Sequence, residues 1–185
     1  MLCIESERLI IRMVAPEDAP AIYAYRSDLE ANKYQGWFPA SEEEVREYIL
    51  KMPTDLNVPN ACYQIAIIRR DDSVLIGDMG IVFTNHDNQQ VEIGCTLKKD
   101  YQGKGYGTEA MKAVIHFLFV DLNKHRIVVS IDPRNTPSIR MAERLGLTKE
   151  GHFRESYYVR GEWTDDVIYA MLQKEWMKDD IIRKR

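Results

Sequence analysis

Residues 102–110 read QGKGYGTEA, with glycines at 103, 105 and 107 directly before a stretch with helical periodicity. Glycines remove side chains where a strand passes into a helix, so several backbone N–H groups can point at one anion. The helix dipole adds partial positive charge at the same place. The stretch therefore predicts a phosphate-binding turn at a helix start, with a plain flexible turn as the simpler alternative.

Two nucleotide-binding fingerprints compete for this stretch. A Walker A loop reads Gly, four residues, Gly, Lys and then Ser or Thr. Here Gly103-Lys104 is followed by Gly105, and no glycine lies five residues before Gly103. The dinucleotide fingerprint is closer, because Gly105, Gly107 and Ala110 fit GxGxxA and Asp132 ends the next apolar strand. That fingerprint requires glycines directly after the first strand, whereas a long β region precedes these. A redox dinucleotide protein stays as a lesser alternative.

The residues around the turn alternate between strand and helix patterns. Short polar turns within 61–97 indicate an antiparallel meander, and a strand, a helix over 105–121 and a further strand indicate a parallel crossover. Predicted strands are 6–14, 61–70, 73–83, 90–97, 126–132, 147–159 and 163–173, and predicted helices are 16–28, 41–52, 105–121 and 135–146. The sequence predicts an α/β fold of about seven strands and about four helices.

Composition fits one folded domain, residues 1–185. The chain has 45% hydrophobic and 29% charged residues, which is ordinary for a globular protein. Its net charge of -4 gives no basic surface for nucleic acid. Acidic residues near the start and the lack of a long apolar run predict a cytoplasmic protein that does not contact membranes.

Cysteine and histidine spacing gives no support for a metal site. Cys3, Cys62 and Cys95 are scattered, and no histidine lies at ligand spacing from another histidine or from a cysteine. Free thiols and no metal are expected.

The glycine turn resembles the coenzyme A loop of GCN5-related N-acetyltransferases (GNAT), which reads Arg or Gln, two residues, Gly, one residue, then Gly or Ala. Gln102, Gly105 and Gly107 meet that pattern. Further stretches resemble the RimJ/RimL-type ribosomal-protein N-acetyltransferases: EIGCTL at 92–97, GTEA at 107–110, NTPSIRMAERLGLTKEG at 135–151 and GEWTDDVIYAM at 161–171. These matches cover nearly the whole chain in order.

This resemblance implies a fold and a cosubstrate site. The implied fold is a mixed, mostly antiparallel sheet splayed between its fourth and fifth strands, with acetyl-CoA in the gap. Backbone groups near the splay would contact the pantetheine arm, the glycine turn would hold the pyrophosphate, and Ser138 would lie near the thioester sulfur. The residues implied are Cys95, Thr96, Leu97, Gln102, Gly103, Lys104, Gly105, Tyr106, Gly107, Thr108, Asn135 and Ser138.

Each implied role has a simpler alternative. Asn135 can cap a turn and Ser138 can lie in a first helical turn. Glu92 is a candidate general base, because it is an acid inside an apolar strand and shares a face with Gly94 and Thr96. It can equally be an exposed strand-edge acid or half of an ion pair.

The general acid is less clear. Many GNAT enzymes have a tyrosine four positions before the glycine that corresponds to Gly146, and this chain has Ala142 there. Ser138, a water molecule or unaided departure of the thiolate would then release coenzyme A. Cys95 has no nearby histidine in the sequence to activate it, which favours a buried strand cysteine. The resemblance also implies direct transfer in a ternary complex.

The acceptor amine is predicted to approach through aromatic and acidic segments. Trp37 lies in the loop 34–38, and Tyr157, Trp163 and Asp165 lie in the C-terminal hairpin. Such residues suit a cationic amine, although aromatic residues in strands more often serve packing.

Together these features predict an acetyl-CoA-dependent N-acetyltransferase, acting on a protein N-terminal α-amine and present as a monomer or a homodimer. Two alternatives remain at this stage. One is an acetyltransferase of a small amine such as a polyamine, an amino acid or an antibiotic. The other is a non-catalytic acyl-CoA-binding regulatory module, which the alanine at position 142 motivates.

Overall fold

The structure, a computed structural model, describes residues 2–84 and 87–183. The strands are β1 (Cys3–Glu5), β2 (Leu9–Met13), β3 (Cys62–Arg69), β4 (Leu75–Thr84), β5 (Gln90–Leu97), β6 (Arg126–Ile131), β7 (Thr148–Val159) and β8 (Glu162–Leu172). The helices are α1 (Ala19–Arg26), α2 (Glu42–Lys51), α3 (Tyr106–His116), α4 (Thr136–Arg144) and α5 (Gln173–Arg183). The predicted α/β class is confirmed, with one strand and one helix more than expected.

All eight strands form one sheet in the order β1-β2-β3-β4-β5-β6-β8-β7. Every neighbouring pair is antiparallel except β5 and β6, which are parallel and joined by α3. The pair β5–β6 is in register only over Gln90–Glu92 and Arg126–Val128. Beyond that point the two strands separate, so the expected splay lies between β5 and β6.

Local sequence signals fix where the elements begin and turn. The Ser41 hydroxyl caps α2 by accepting from the Glu44 N–H at 3.1 Å. Arg160 and Gly161 both have positive φ angles, 54° and 84°, which is the two-residue turn that matches the twist of a hairpin. The β7–β8 hairpin therefore forms where the sequence predicts it.

Two hydrophobic clusters lie on opposite faces of the sheet. The larger packs α3 and Trp176 of α5 against one face, and the smaller packs α1 and α2 against the other. β3 contributes to both, because Ile67 belongs to the larger cluster and Ala66 to the smaller. Within the described part of the chain, no helix has the length and apolar character needed to cross a membrane.

A buried ion pair joins α1 to the middle of β4. Asp78 is fully buried and accepts hydrogen bonds from Arg26 Nε at 3.1 Å and from the Tyr25 hydroxyl at 2.7 Å. Burial, together with the charge of Asp78, raises the pKa of the Tyr25 hydroxyl well above its ordinary value. The Tyr25 hydroxyl therefore stays protonated and donates to this carboxylate.

Removing one partner should destabilise the protein strongly. We expect Asp78→Ala to lower the free energy of unfolding by about 3–5 kcal/mol, because Arg26 would keep a buried, uncompensated charge. Urea unfolding followed by circular dichroism measures this change. Glu47→Ala is the control, since the Glu47–Lys51 pair is exposed on α2 and should contribute well under about 1 kcal/mol. Equal effects of the two substitutions would contradict the assignment.

Candidate active site

A cavity of about 850 Å³ follows the gap between β5 and β6. Its walls come from the end of β5, the turn before α3, one face of α4 and the segment between α1 and α2. Most residues that the resemblance implies for acetyl-CoA lie along it: Cys95, Thr96, Leu97, Gln102, Gly103, Gly105, Gly107, Thr108, Asn135 and Ser138. The splay thus brings together segments that are far apart in the sequence.

The glycine turn directs the start of α3 toward this cavity. Gly103 and Gly105 have φ angles of 72° and 85°, which glycine adopts without steric cost. The Gln102 side chain donates to the Leu97 carbonyl at 2.9 Å and so ties the turn to the end of β5. The free N–H groups in the first turn of α3 can therefore bind an anion in the cavity.

Basic side chains lie along the same cavity. Arg140 and Arg144 occupy one face of α4, and Lys99 precedes the glycine turn. Their charge suits phosphate groups. The sequence analysis did not identify them, although the i,i+4 spacing of the two arginines was a signal that could have done so.

The sequence analysis also did not anticipate how much of the cavity wall comes from the segment between α1 and α2. That segment contributes Asp28 and residues 30–35. Its position depends on tertiary contacts, such as the hydrogen bond from Arg160 Nη1 to the Leu29 carbonyl at 3.4 Å. Local sequence contains no signal for such a contact.

A smaller cavity of about 80 Å³ marks where the β5–β6 gap narrows. Gly94, Asn135, Ser138 and Ala142 line it together with Tyr34. The Asn135 Oδ1 atom accepts from the Ser138 N–H at 3.3 Å, so this residue caps α4 as well as facing the cavity. A methyl group therefore stands where the resemblance would place a phenol.

The Cys95 thiol is a poor nucleophile in this setting. Burial, reinforced by the charge of Asp78, raises the pKa of the thiol to about 12. The thiolate is the reactive form of cysteine, so the side chain is inert at neutral pH. The raised pKa therefore argues against an acetyl-cysteine step at this residue.

Glu92 lies at the last paired position of β5 before the splay, beside Asp166 of β8. Its register partner Val128 is two residues before Ser130, whose hydroxyl donates to Asp166 Oδ1 at 2.8 Å. Loss of surrounding water and the charge of Asp166 raise the pKa of the Glu92 carboxyl, although the residue is still reached by solvent. These properties suit a proton acceptor.

Lys104 and Tyr106 were also predicted to contact the cosubstrate, but they do not line the cavity. The Lys104 carbonyl accepts from Arg8 Nη1 at 3.2 Å, and the Arg8 guanidinium lies 4.4 Å from the centre of the Tyr106 ring. Arg8 thus holds the outer side of the glycine turn, away from the cavity.

The predicted acceptor residues divide between two faces of the sheet. Trp37 lies on the α1–α2 face, and Tyr157, whose hydroxyl lies close to Gly36, contacts the same segment. Trp163 is exposed and packs on another hairpin aromatic residue, and Asp165 accepts from the Glu155 N–H at 2.9 Å. Side chains alternate between the two sides of a strand, so Trp163 and Asp165 lie on the opposite side of β8 from Asp166. The structure therefore does not bring them to the face of the sheet that holds Glu92.

The described residues hold no cluster of three or more histidine, cysteine or acidic side chains arranged for a metal ion.

The sheet splays at its one parallel pair of strands, and the glycine turn lies beside the opening. This arrangement is typical of acyltransferases that use coenzyme A thioesters. The chain belongs to the GNAT family, because the model of the acetyltransferase (GNAT) domain matches residues 8–148. It is an N-acetyltransferase that uses acetyl-CoA.

Relatives extend over nearly the whole chain. The uncharacterized N-acetyltransferase YnaD of Bacillus subtilis (strain 168) is 35% identical over 176 residues, covering 94% of this chain and 98% of the relative. The ribosomal protein uS5 alanine N-acetyltransferase of Escherichia coli (strain K12) is 25% identical over 179 residues, covering 92% and 91%. The resemblance to ribosomal-protein N-acetyltransferases is thereby confirmed.

Solved structures share the fold. A GNAT-family acetyltransferase from Bacillus anthracis superimposes with a TM-score of 0.82 at 29% identity, covering 94% of this chain and 99% of that one. Spermidine N-acetyltransferase from Vibrio cholerae, in complex with coenzyme A and spermine, gives 0.81 at 21% identity, covering 93% and 99%.

The glycine turn can be tested with a matched pair of substitutions. Gly105→Ala and Gly161→Ala each force alanine into a left-handed conformation, so each should cost about 1–2 kcal/mol of stability. We expect only Gly105→Ala to weaken acetyl-CoA binding, because Gly161 lies in the distant hairpin turn. The rise in melting temperature on adding acetyl-CoA measures binding. Equal losses of that rise would contradict a role for the glycine turn.

Proposed function

We propose that this enzyme acetylates the N-terminal α-amine of a protein by direct transfer from bound acetyl-CoA. The observation that carries the proposal is the position of β5 at the splay. In β5, Cys95 lines both cavities and Gly94 lines the narrow one. Glu92 lies two residues before Gly94, beside Asp166. An amine brought to Glu92 would therefore lie close to the narrow end of the cosubstrate cavity.

The cavity residues fit acetyl-CoA. Its pyrophosphate matches the N–H groups at the start of α3, with Lys99, Arg140 and Arg144 supplying positive charge. The end of β5 and Asn135 would hold the pantetheine arm in the gap. In β6, only the stretch from Arg126 to Val128 pairs with β5. The backbone of β5 beyond Glu92 therefore lacks a strand partner on that side.

Acetyl-CoA supplies an acetyl group already activated as a thioester. The Glu92 carboxylate accepts a proton from the incoming ammonium, directly or through water. An α-amine with a pKa near 8 gives up this proton more easily than a lysine near 10.4, which favours an N-terminal acceptor. The backbone N–H of Leu97 is our candidate donor to the charge that develops on the thioester oxygen.

Ser138 is the proposed donor of a proton to the coenzyme A thiolate that leaves when the carbon–sulfur bond of the thioester breaks. It lines both cavities, and its N–H is already fixed by Asn135. Ala142 lines the same narrow cavity and has no proton to donate, which supports Ser138 for this role. A water molecule in that cavity could share this role.

One relative supports a protein acceptor, since its name specifies the alanine of ribosomal protein uS5. A small polycationic amine is the second candidate. Asp28 and Glu30 on the cavity wall, with Glu92 and Asp166 beyond the splay, could bind more than one ammonium group.

The acceptor class can be measured directly. We expect the purified protein to release free coenzyme A thiol from acetyl-CoA when given an alanine-initiated peptide, with kcat/KM at least about tenfold higher than for spermidine or free lysine. The same peptide with a blocked α-amine is the control and should give no release. A preference for spermidine would transfer the proposal to small amines. A melting-temperature rise with acetyl-CoA, but no thiol release with any amine, would indicate a non-catalytic module.

The role of Glu92 predicts a pH dependence. A base with a raised pKa is active only above that pKa, so kcat/KM should rise with pH through it. Asp166→Asn removes the nearby charge and should move this acidic limb to lower pH. Glu92→Gln should lower kcat/KM at neutral pH by about 10²-fold, with partial recovery at higher pH as free amine becomes abundant.

Asp121→Asn is the matched control for this experiment, because Asp121 lies in the turn that follows α3 and is exposed. Its pH profile should overlay that of the wild type. An acidic limb that stays in place in Asp166→Asn, or a profile unchanged by Glu92→Gln, would remove Glu92 from the mechanism.

A further inference from the structure

Two paired glycines leave bare backbone on the α1–α2 face of the sheet. Gly80 in β4 is the register partner of Gly94 in β5, and we call this pair the glycine strip. A Cβ atom at Gly94 would meet no atom within 4 Å, and Gly94 also lines the narrow cavity. The strip therefore forms an open floor that leads to the splay.

The side chain of Gln64 extends over this strip. Gln64 in β3 is the register partner of Gly80, and its Oε1 atom lies 3.7 Å from where a Cβ of Gly80 would be. The residue is only 5% exposed. Its backbone N–H donates to Met52 Sδ and its carbonyl accepts from the Val14 N–H.

Among residues 2–84 and 87–183, no group forms a hydrogen bond with the Gln64 side-chain amide, and its polar atoms are not among the fully buried ones that lack a partner. An amide that still reaches solvent at the edge of the strip can exchange hydrogen bonds with water for hydrogen bonds with a ligand. The nearby glycines offer no side chain that could pair with it. Its donors and acceptor are therefore free to bind a molecule lying on the glycine strip.

Aromatic side chains lie on the same face of the sheet, beside the strip. The Trp37 ring lies 4.9 Å from the Tyr48 ring and 5.2 Å from the Arg26 guanidinium. Tyr48 contacts Cys62, two residues before Gln64, and Arg26 pairs with a carboxylate two residues before Gly80. Trp37 and Tyr48 therefore lie on the same face of the sheet as the glycine strip, next to the strands that carry Gln64 and Gly80.

The distances match a peptide chain. Neighbouring strands are about 4.8 Å apart, so an amide above Gly80 lies about one strand spacing from Gly94. This is roughly the distance from an α-amine to a hydrogen-bond partner of its first peptide group. A side-chain amide has donors and an acceptor, and a peptide group has one of each. A polyamine ammonium can only donate, and so would leave the Gln64 NH₂ group unpaired.

We propose that Gln64 is a specificity-determining residue that binds the first peptide group of the acceptor polypeptide over the glycine strip. This inference rests on the proposed transfer to a protein N-terminus and names the residue that selects for it. Glu92, two residues from Gly94 on the same face, would then receive the proton of the α-amine. The bare floor lets the acceptor main chain approach the sheet closely.

Gln64→Met removes both polar functions at similar volume. With full-length protein, we expect KM for the alanine-initiated peptide to rise about tenfold while kcat stays within about twofold. KM for spermidine and the melting-temperature rise with acetyl-CoA should not change. Gln64→Glu keeps an acceptor, loses the donors and adds negative charge. It should raise KM for the peptide and lower KM for spermidine.

Gln89→Met is the matched control, because Gln89 is exposed and lies just before β5, outside both cavities. Its KM values should equal those of the wild type. A KM for the peptide that is unchanged in Gln64→Met, or KM values raised equally for both amines, would overturn the inference while leaving the proposed function intact. Wild-type protein that acetylates spermidine but no peptide would overturn both.

Discussion

The structure depends on the short parallel contact between β5 and β6. β5 pairs with β4 along its whole length, from Gln90 to Leu97, and β6 pairs with β8 throughout, but the two strands share only a three-residue register. Backbone groups that lose a strand partner must find another. That requirement suits the splay to an extended, amide-containing molecule, and the crossover through α3 brings a helix start with free N–H groups to its edge.

Much of the architecture was predictable, because local chemistry determines it. The glycine turn before α3, the Ser41 cap and the Arg160-Gly161 turn each follow from backbone conformations that few residues adopt. The extra strand β1 was not anticipated, since three residues are too short for an alternation pattern. Helix α5 was also missed. Its first turn is fixed by Glu175, which accepts from the Leu172 N–H at 2.8 Å.

Residues of the candidate site were predictable only where a motif carries them. The face of β5 that holds Glu92 follows from period two, but its neighbour Asp166 depends on how β6 and β8 pair. The bulge in β7 between Phe153 and Tyr157 illustrates the difficulty, because alternation along that strand cannot be counted through it. Gln64 had no sequence signal at all, since its setting arises from the register of β3 against β4.

The high pKa of the Cys95 thiol has a consequence for the lifetime of the enzyme. Each turnover leaves a free thiol in the cavity, and thiols and disulfides exchange only through the thiolate form. Because its pKa is raised to about 12, the Cys95 thiol stays almost wholly protonated at neutral pH. The setting beside Asp78 therefore disfavours disulfide exchange between Cys95 and the coenzyme A thiol that forms in the same cavity.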